Sequence, residues 1–163
     1  MSFKTLVVRM MAVVLLVGVM MSSAVPSQAA GKKKYTNRDV KVLATIIFCE
    51  AGNQSYAGKL AVGCVVMNRK RSKQFPNTVE GVIRQRGQFS PVASGKWRTE
   101  LKKYSAGKYK KGARAQCVKA AKEALEGASS VKYKGKKINM KRYYFFSQRL
   151  SNAKLRIQGH DFK

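Results

Sequence analysis

Between residues 37 and 51 apolar side chains recur at Val40, Leu43, Ala44 and Ile47. That spacing is the period of a helix with one face in a core. Thr36 with Asp39 three residues on forms a capping-box signature, Asp standing in for the usual Glu, and Gly52 with Asn53 supplies a stop. A second stripe, Ala57, Leu60, Ala61, Cys64 and Val65, follows Ser55 and predicts a helix over 56–71. Asn68 is the next residue on its face. SKQFPN leads to a third predicted helix over about 78–85. RGQFSP, bracketed by Gly87 and Pro91, reads as irregular. Residues 98–110 are strongly basic and weakly patterned, as in an exposed helix or loop. A fourth clear helix is predicted over about 113–126, with Ala115, Val118, Ala121 and Leu125 inward and Gly127 as the stop. Residues 131–133 and 143–146 are rich in β-branched and aromatic types and suggest short strands. The fold class is mainly α (α+β), a helical domain with a few short strands near the C-terminus.

The first thirty residues follow another pattern. Basic Lys4 and Arg9 precede an apolar stretch from Met10 to Met21, and Ser27 with Ala29 fits the small-x-small rule for cleavage. The stretch is short for a membrane-spanning helix, which needs about 20 residues. The expected organisation is a signal peptide over 1–29, a basic lead-in over 30–36 and one domain over 37–163. The protein is expected to be exported, to the cell wall, the spore or the medium, and to act as a monomer.

Charge narrows the partners. The chain carries 34 Lys and Arg against seven Asp and Glu, a formal net charge of +27. Removing Lys4 and Arg9 leaves 27 − 2 = +25. Such a field draws in polyanions. For an exported protein these are anionic wall polymers and lipid headgroups. Nucleic acid fits the charge but not the signal peptide, and no nucleic-acid motif is present. The lysine-rich segments 32–34, 102–111 and 132–141 are expected to hold the wall electrostatically in place of a sugar-binding repeat.

One of the seven acids stands out. Adding three to Ile47 reaches Glu50, on the core-facing stripe at the C-terminal end of the first helix. The partial negative charge of that end and the apolar neighbours both disfavour the carboxylate. The protonated form is therefore accessible near neutral pH, as a general acid requires. The plain alternative is a solvated glutamate at a helix end. Asp39 lies roughly 16 Å away along the same helix, too far to share a reaction with it. Glu123 and Glu126 read as the solvated face of an amphipathic helix. One histidine and scattered acids offer no metal-ligand cluster, and no cofactor is expected. The odd number of cysteines, Cys49, Cys64 and Cys117, leaves at least one thiol free. All three sit in apolar helix stripes, where a thiol serves as a small hydrophobe; a Cys49–Cys64 bridge is the open alternative.

Four motifs in order resemble the catalytic domain of the spore cortex-lytic enzyme and cell-wall hydrolase family (SleB/CwlJ type): CEAGNQSYAGKLAVGCVVMNR, FPNTVEGVI, GQFSP with Trp97 close behind, and IQGHDF at residues 157–162. The resemblance implies a lysozyme-like, lytic-transglycosylase-like helical domain that cleaves peptidoglycan between N-acetylmuramic acid and N-acetylglucosamine. It places Glu50 on the family's catalytic glutamate and His160 on a family histidine with a supporting or structural role. Asn68, Gln88 and Ser90 become candidates to hydrogen-bond the sugars. Phe89, Trp97, Tyr144 and Phe145 become candidate apolar walls, core packing being the alternative for each. The chain departs from the family at YFFSQ, residues 144–148, where members tend to have Tyr-Phe-His-Asn. A single carboxylate suits a lytic transglycosylase; ordinary glycoside hydrolysis needs two. The rival readings are a hydrolytic muramidase using Asp161 or Glu80 as second carboxylate, a wall amidase or endopeptidase using a cysteine with His160, and a non-catalytic cationic wall-binding protein.

Overall fold

The structure, a computed structural model, describes residues 35–163. The expected signal peptide and most of the lead-in lie outside the described residues. Six helices come first: α1 (Asn37–Ala51), α2 (Tyr56–Arg71), α3 (Val79–Arg84), α4 (Ser90–Ala93), α5 (Lys96–Ser105) and α6 (Gly112–Leu125). Five short strands follow: β1 (Ser130–Tyr133), β2 (Lys136–Asn139), β3 (Phe146–Ser147), β4 (Leu155–Ile157) and β5 (His160–Phe162). β1 and β2 form an antiparallel hairpin. The other three make a small antiparallel sheet in the order β3-β5-β4.

α1 begins and ends where its caps predict. The Thr36 hydroxyl accepts the Asp39 N–H at 3.1 Å and the Asp39 carboxylate accepts the Thr36 N–H at 2.8 Å. Leu43, Ala44, Ile46 and Ile47 are fully buried. Burying each of the larger side chains contributes about 1.5–3 kcal/mol. α1, α2 and α6 meet at Gly63. A Cβ there would stand 3.1 Å from the Ala124 Cβ and 3.2 Å from the Ile47 Cδ1. A small residue at this crossing lets three helices approach closely.

The basic segment after residue 96 departs from its expected exposure. It is mostly helix α5, and it drives two side chains inward. Trp97 is 2% exposed and donates its indole N–H to the Thr45 hydroxyl at 2.9 Å. Glu100 is 4% exposed and accepts from Lys103 at 2.8 Å, Tyr109 at 2.9 Å and Arg114 at 3.1 Å. The irregular segment also differs, since Ser90–Ala93 forms one helical turn beginning at Pro91's ring. In α6 the fully buried face is Cys117, Ala120, Ala121 and Ala124, while Ala115 and Val118 are only half-buried.

The C-terminal third is clamped to the end of α2. The Asn68 amide donates to the Met140 carbonyl at 2.6 Å and the Tyr143 carbonyl at 2.9 Å. The Arg69 Nε donates to the Tyr144 carbonyl at 2.6 Å. Three carbonyls of the segment between β2 and β3 thereby gain side-chain donors from α2.

Candidate active site

Glu50 is the penultimate residue of α1 and half-buried. Among the described residues its carboxylate has no hydrogen bond or ion pair. Five of the other six acids are hydrogen-bonded or ion-paired. Asp39 closes the α1 cap. Glu80 lies between Arg38 at 2.7 Å and Arg84 at 2.8 Å. Glu100, itself buried, holds Lys103, Tyr109 and Arg114. Glu126 accepts from the Tyr35 hydroxyl at 2.7 Å. Asp161 accepts from Arg156 at 2.8 Å and from the Leu150 N–H at 3.2 Å. Glu123 lies beside the Tyr56 phenol, whose pKa is raised by burial and by that carboxylate.

The environment of Glu50 sets its acidity. Burial raises its pKa above the ordinary carboxylate value, and the Lys96 ammonium pulls it partly back. The C-terminal end of α1 adds to the upward push. The result is a carboxyl on a rigid helix end that keeps its proton to higher pH than an exposed glutamate. A positioned group in that state can donate a proton to a leaving oxygen and take one back.

The turn that follows is pinned from a distance. Lys59, 2% exposed, donates its Nζ to the Gln54 carbonyl. The Ser55 N–H donates to the Gln158 side-chain oxygen. The Gly159 N–H donates to Gln54 Oε1 at 3.2 Å. So the IQGHDF motif and the glutamate motif meet in space. Sequence reasoning missed Lys59, because a lysine within AGKLAV reads as the solvated edge of a stripe.

The remaining predicted site residues divide. Gln88 and Ser90 are exposed and available to solvent. Tyr144 is half-buried and Phe145 is 45% exposed, beside Phe75, whose ring stacks on Tyr144 at 6.1 Å. These two keep faces that a sugar could meet. Phe89 at 3% exposure and Trp97 at 2% do not. As apolar walls for sugar they are corrected to core residues: Trp97 because its N–H finds Thr45 inside, Phe89 because it closes over Phe146 at 6.1 Å and the Arg69 guanidinium at 5.5 Å. Asn68 is likewise corrected from sugar ligand to clamp, since both donated hydrogen bonds go to carbonyls of the tail and its Oδ1 accepts from Arg71 at 3.1 Å.

His160 is 6% exposed, edge-on to Phe146 at 5.2 Å and to Phe162 at 6.3 Å. Burial lowers its pKa, so the ring is held neutral. Its buried Nδ1 has no partner among the described residues. Arg69, also missed, is 3% exposed and caged by Phe75, Phe89 and Phe145 at 5.2–5.5 Å. Burial pushes its pKa down to about 10.

The cysteines are all free thiols. Burial pushes Cys49 and Cys64 up to about 11 and Cys117 up to about 12. None supplies the thiolate that a nucleophilic mechanism needs. Among the described residues no group of acids, cysteines and histidine could hold a metal ion. A pocket of about 700 Å³ lies against the first half of α1, lined by Val40, Lys41, Leu101, Tyr104 and Val118, and Glu50 does not line it.

The chain is similar to known proteins. The family described as Cell Wall Hydrolase matches residues 53–162, about two thirds of the chain, starting three residues after Glu50. A spore cortex-lytic enzyme of Bacillus cereus is 39% identical over 61 residues, 37% of this chain and 24% of that protein. The corresponding enzyme of Bacillus subtilis is 39% identical over the same length, 20% of its own chain. The aligned part is thus a quarter or less of these relatives. The catalytic domain of the germination-specific lytic transglycosylase SleB from Bacillus anthracis superposes with a TM-score of 0.57 at 23% identity, covering 80% of this chain and 98% of that one. The catalytic domain of Bacillus cereus SleB gives 0.59 at 23% identity, covering 93% of that chain. The expected lysozyme-like helical fold is therefore the observed one, and the chain belongs to the cell wall hydrolase family.

Proposed function

We propose that this protein cleaves the glycosidic bond between N-acetylmuramic acid and N-acetylglucosamine in peptidoglycan as a lytic transglycosylase, with Glu50 as its catalytic residue. The observation that carries this reading is the contrast among the acids. Glu50 alone is half-buried, unpaired among the described residues and raised in pKa. The solved domain from Bacillus anthracis belongs to a germination-specific lytic transglycosylase, which supports the assignment.

The reaction uses one carboxyl twice. Glu50 gives its proton to the glycosidic oxygen as the bond from muramic acid C1 to that oxygen breaks. The N-acetylglucosamine leaves with a hydroxyl. The Glu50 carboxylate then takes the proton from the muramic acid 6-hydroxyl, whose oxygen bonds to C1. The enzyme returns to its starting protonation, the product ends in a 1,6-anhydromuramoyl unit, and no water is consumed. A hydrolase would need a second carboxylate to activate water. Asp161 and Glu80, the sequence candidates, are each held by arginine.

Export, a signal peptide over 1–29 and attraction of the basic surface to anionic wall polymers belong to the same proposal. Spore cortex and vegetative wall are its two substrates to compare. The test is mass spectrometry of fragments released from both polymers by the chain and by Glu50→Gln. Anhydro ends lost with the substitution support the reading. Reducing ends would replace it with hydrolysis. Binding without release would make the chain a cationic wall-binding protein.

A further inference from the structure

A second pocket, about 460 Å³, opens at the far end of α2 from Glu50. Arg71, the last residue of α2, is about 22 Å along the helix from Tyr56 at its start. The lining comes from separate parts of the chain: Asn68, Arg71 and Ser72, then Ser129, then Lys141 and Tyr144. Two cations, two hydroxyls and an aromatic ring face one space, and no carboxylate lines it.

The pocket is held in shape by its buried amide. Asn68 is 5% exposed and fixed by the Met140 and Tyr143 carbonyls. With its Oδ1 it accepts from Arg71 Nη2 at 3.1 Å. The guanidinium is therefore oriented before any ligand arrives. Lys141 follows Met140 directly, and Tyr144 follows Tyr143, so the same two clamps place them. Tyr144 is further steadied by Phe75, stacked on it with 3° between the ring planes. A preorganised cation loses less freedom on binding than a free surface lysine does.

We propose that this pocket is a distal binding site for a muramoyl-peptide unit of peptidoglycan: a free carboxylate of the stem peptide sits between Arg71 and Lys141, and the apolar part of that peptide lies on Tyr144. It rests on the proposed function only for the identity of the polymer. Charge-assisted hydrogen bonds to an oriented guanidinium give the site its preference for carboxylate. A long strand could then be held at two points, near Glu50 and a helix length away.

The test is binding of the full chain to insoluble peptidoglycan by sedimentation, in the Glu50→Gln background so that nothing is cleaved. Arg71→Gln and Lys141→Gln are each expected to weaken binding about tenfold, or 1.4 kcal/mol. Lys154→Gln, an exposed charge outside the lysine-rich segments, should change it less than about twofold. Amidating the stem-peptide carboxylates should erase the difference between Arg71→Gln and its parent. With Glu50 intact, the parent chain should release fragments from the same polymer. Equal effects of Arg71→Gln and Lys154→Gln would overturn the site in favour of diffuse attraction. Binding kept after amidation but lost when wall phosphate polymers are stripped would overturn it in favour of a phosphate ligand. Absence of any cleavage would remove the proposed function, and the binding comparison would still decide the site.

Discussion

Gly159 donates its backbone N–H to the side-chain oxygen of Gln54, joining residues 105 apart in the turn four residues past Glu50. There is no spare room at the contact. A Cβ on Gly159 would stand 2.7 Å from Gln54 Nε2. Gly159→Ala must therefore displace the amide. We expect a loss of about 1 kcal/mol in stability and a larger proportional loss of activity, measured together by denaturant unfolding and fragment release. Wild-type activity with displaced stability would show that the turn does not position Glu50.

Glu50→Gln should separate function from stability. Activity is expected to fall at least about 100-fold, the usual contribution of a positioned acid. Stability should move the other way. The folded pKa of Glu50 lies above its ordinary value of 4.5. Ionising it therefore costs the folded state more than the unfolded one, and stability is lost as pH rises through the folded pKa. The variant should melt above wild type at pH 8, with the gap closing by about pH 4. The same acid makes kcat/KM decline as pH rises through its raised pKa. A substitution that lowers the melting temperature at pH 8 would contradict the buried, unpaired setting.

The Glu100 cluster predicts the opposite pH dependence. Burial would raise this carboxyl, but hydrogen bonds from Arg114, Lys103 and Tyr109 outweigh it and hold the pKa at about 2, below the ordinary 4.5. The stability it contributes is present above pH 4.5 and lost as pH falls toward 2. Glu100→Gln should flatten that acid limb and cost about 2 kcal/mol at neutral pH, since it strands cations at the edge of the core. Unfolding curves from pH 2 to 7 measure both.

Gly63 tests the helix crossing. Gly63→Val should cost about 1–3 kcal/mol through overpacking against Ala124 and Ile47, read as a lower denaturant midpoint with an unchanged slope.

The thiols should be inert. With pKa values of about 11 to 12, they carry almost no thiolate at pH 7. Iodoacetamide at pH 7 should leave the folded chain unalkylated at Cys64 and Cys117 and fully active. Inactivation on alkylation would return the cysteine mechanism to consideration.

What could be read in advance followed from periodicity and caps. α1 carries a capping box, a four-residue stripe and a glycine stop, and its bounds are those of its pattern. Glu50 was legible because it interrupts that stripe. Trp97 and Phe89 were not, because the basic residues of α5 mask its buried face and Phe89 caps a single helical turn too short to show a period. Their burial depends on Thr45 and Arg69, distant in sequence. Glu100 and Tyr109 were hidden in a lysine-rich run whose exposed members dominate the pattern. Strands of two or three residues such as β3, β4 and β5 are too short to show alternation, and they exist because α2 clamps the segment that carries them. Asn68 was flagged as a polar residue on an apolar face, but its partners are carbonyls, which no side-chain pattern reveals.

The bond between Gly159 and Gln54 has a consequence in time. Contacts between residues far apart in sequence close late, because the loop between them must first lose its freedom. Helix α1 is local and forms early. A refolding chain should therefore recover helical circular dichroism before it recovers catalysis, carrying Glu50 on a finished helix whose adjoining turn is not yet in place.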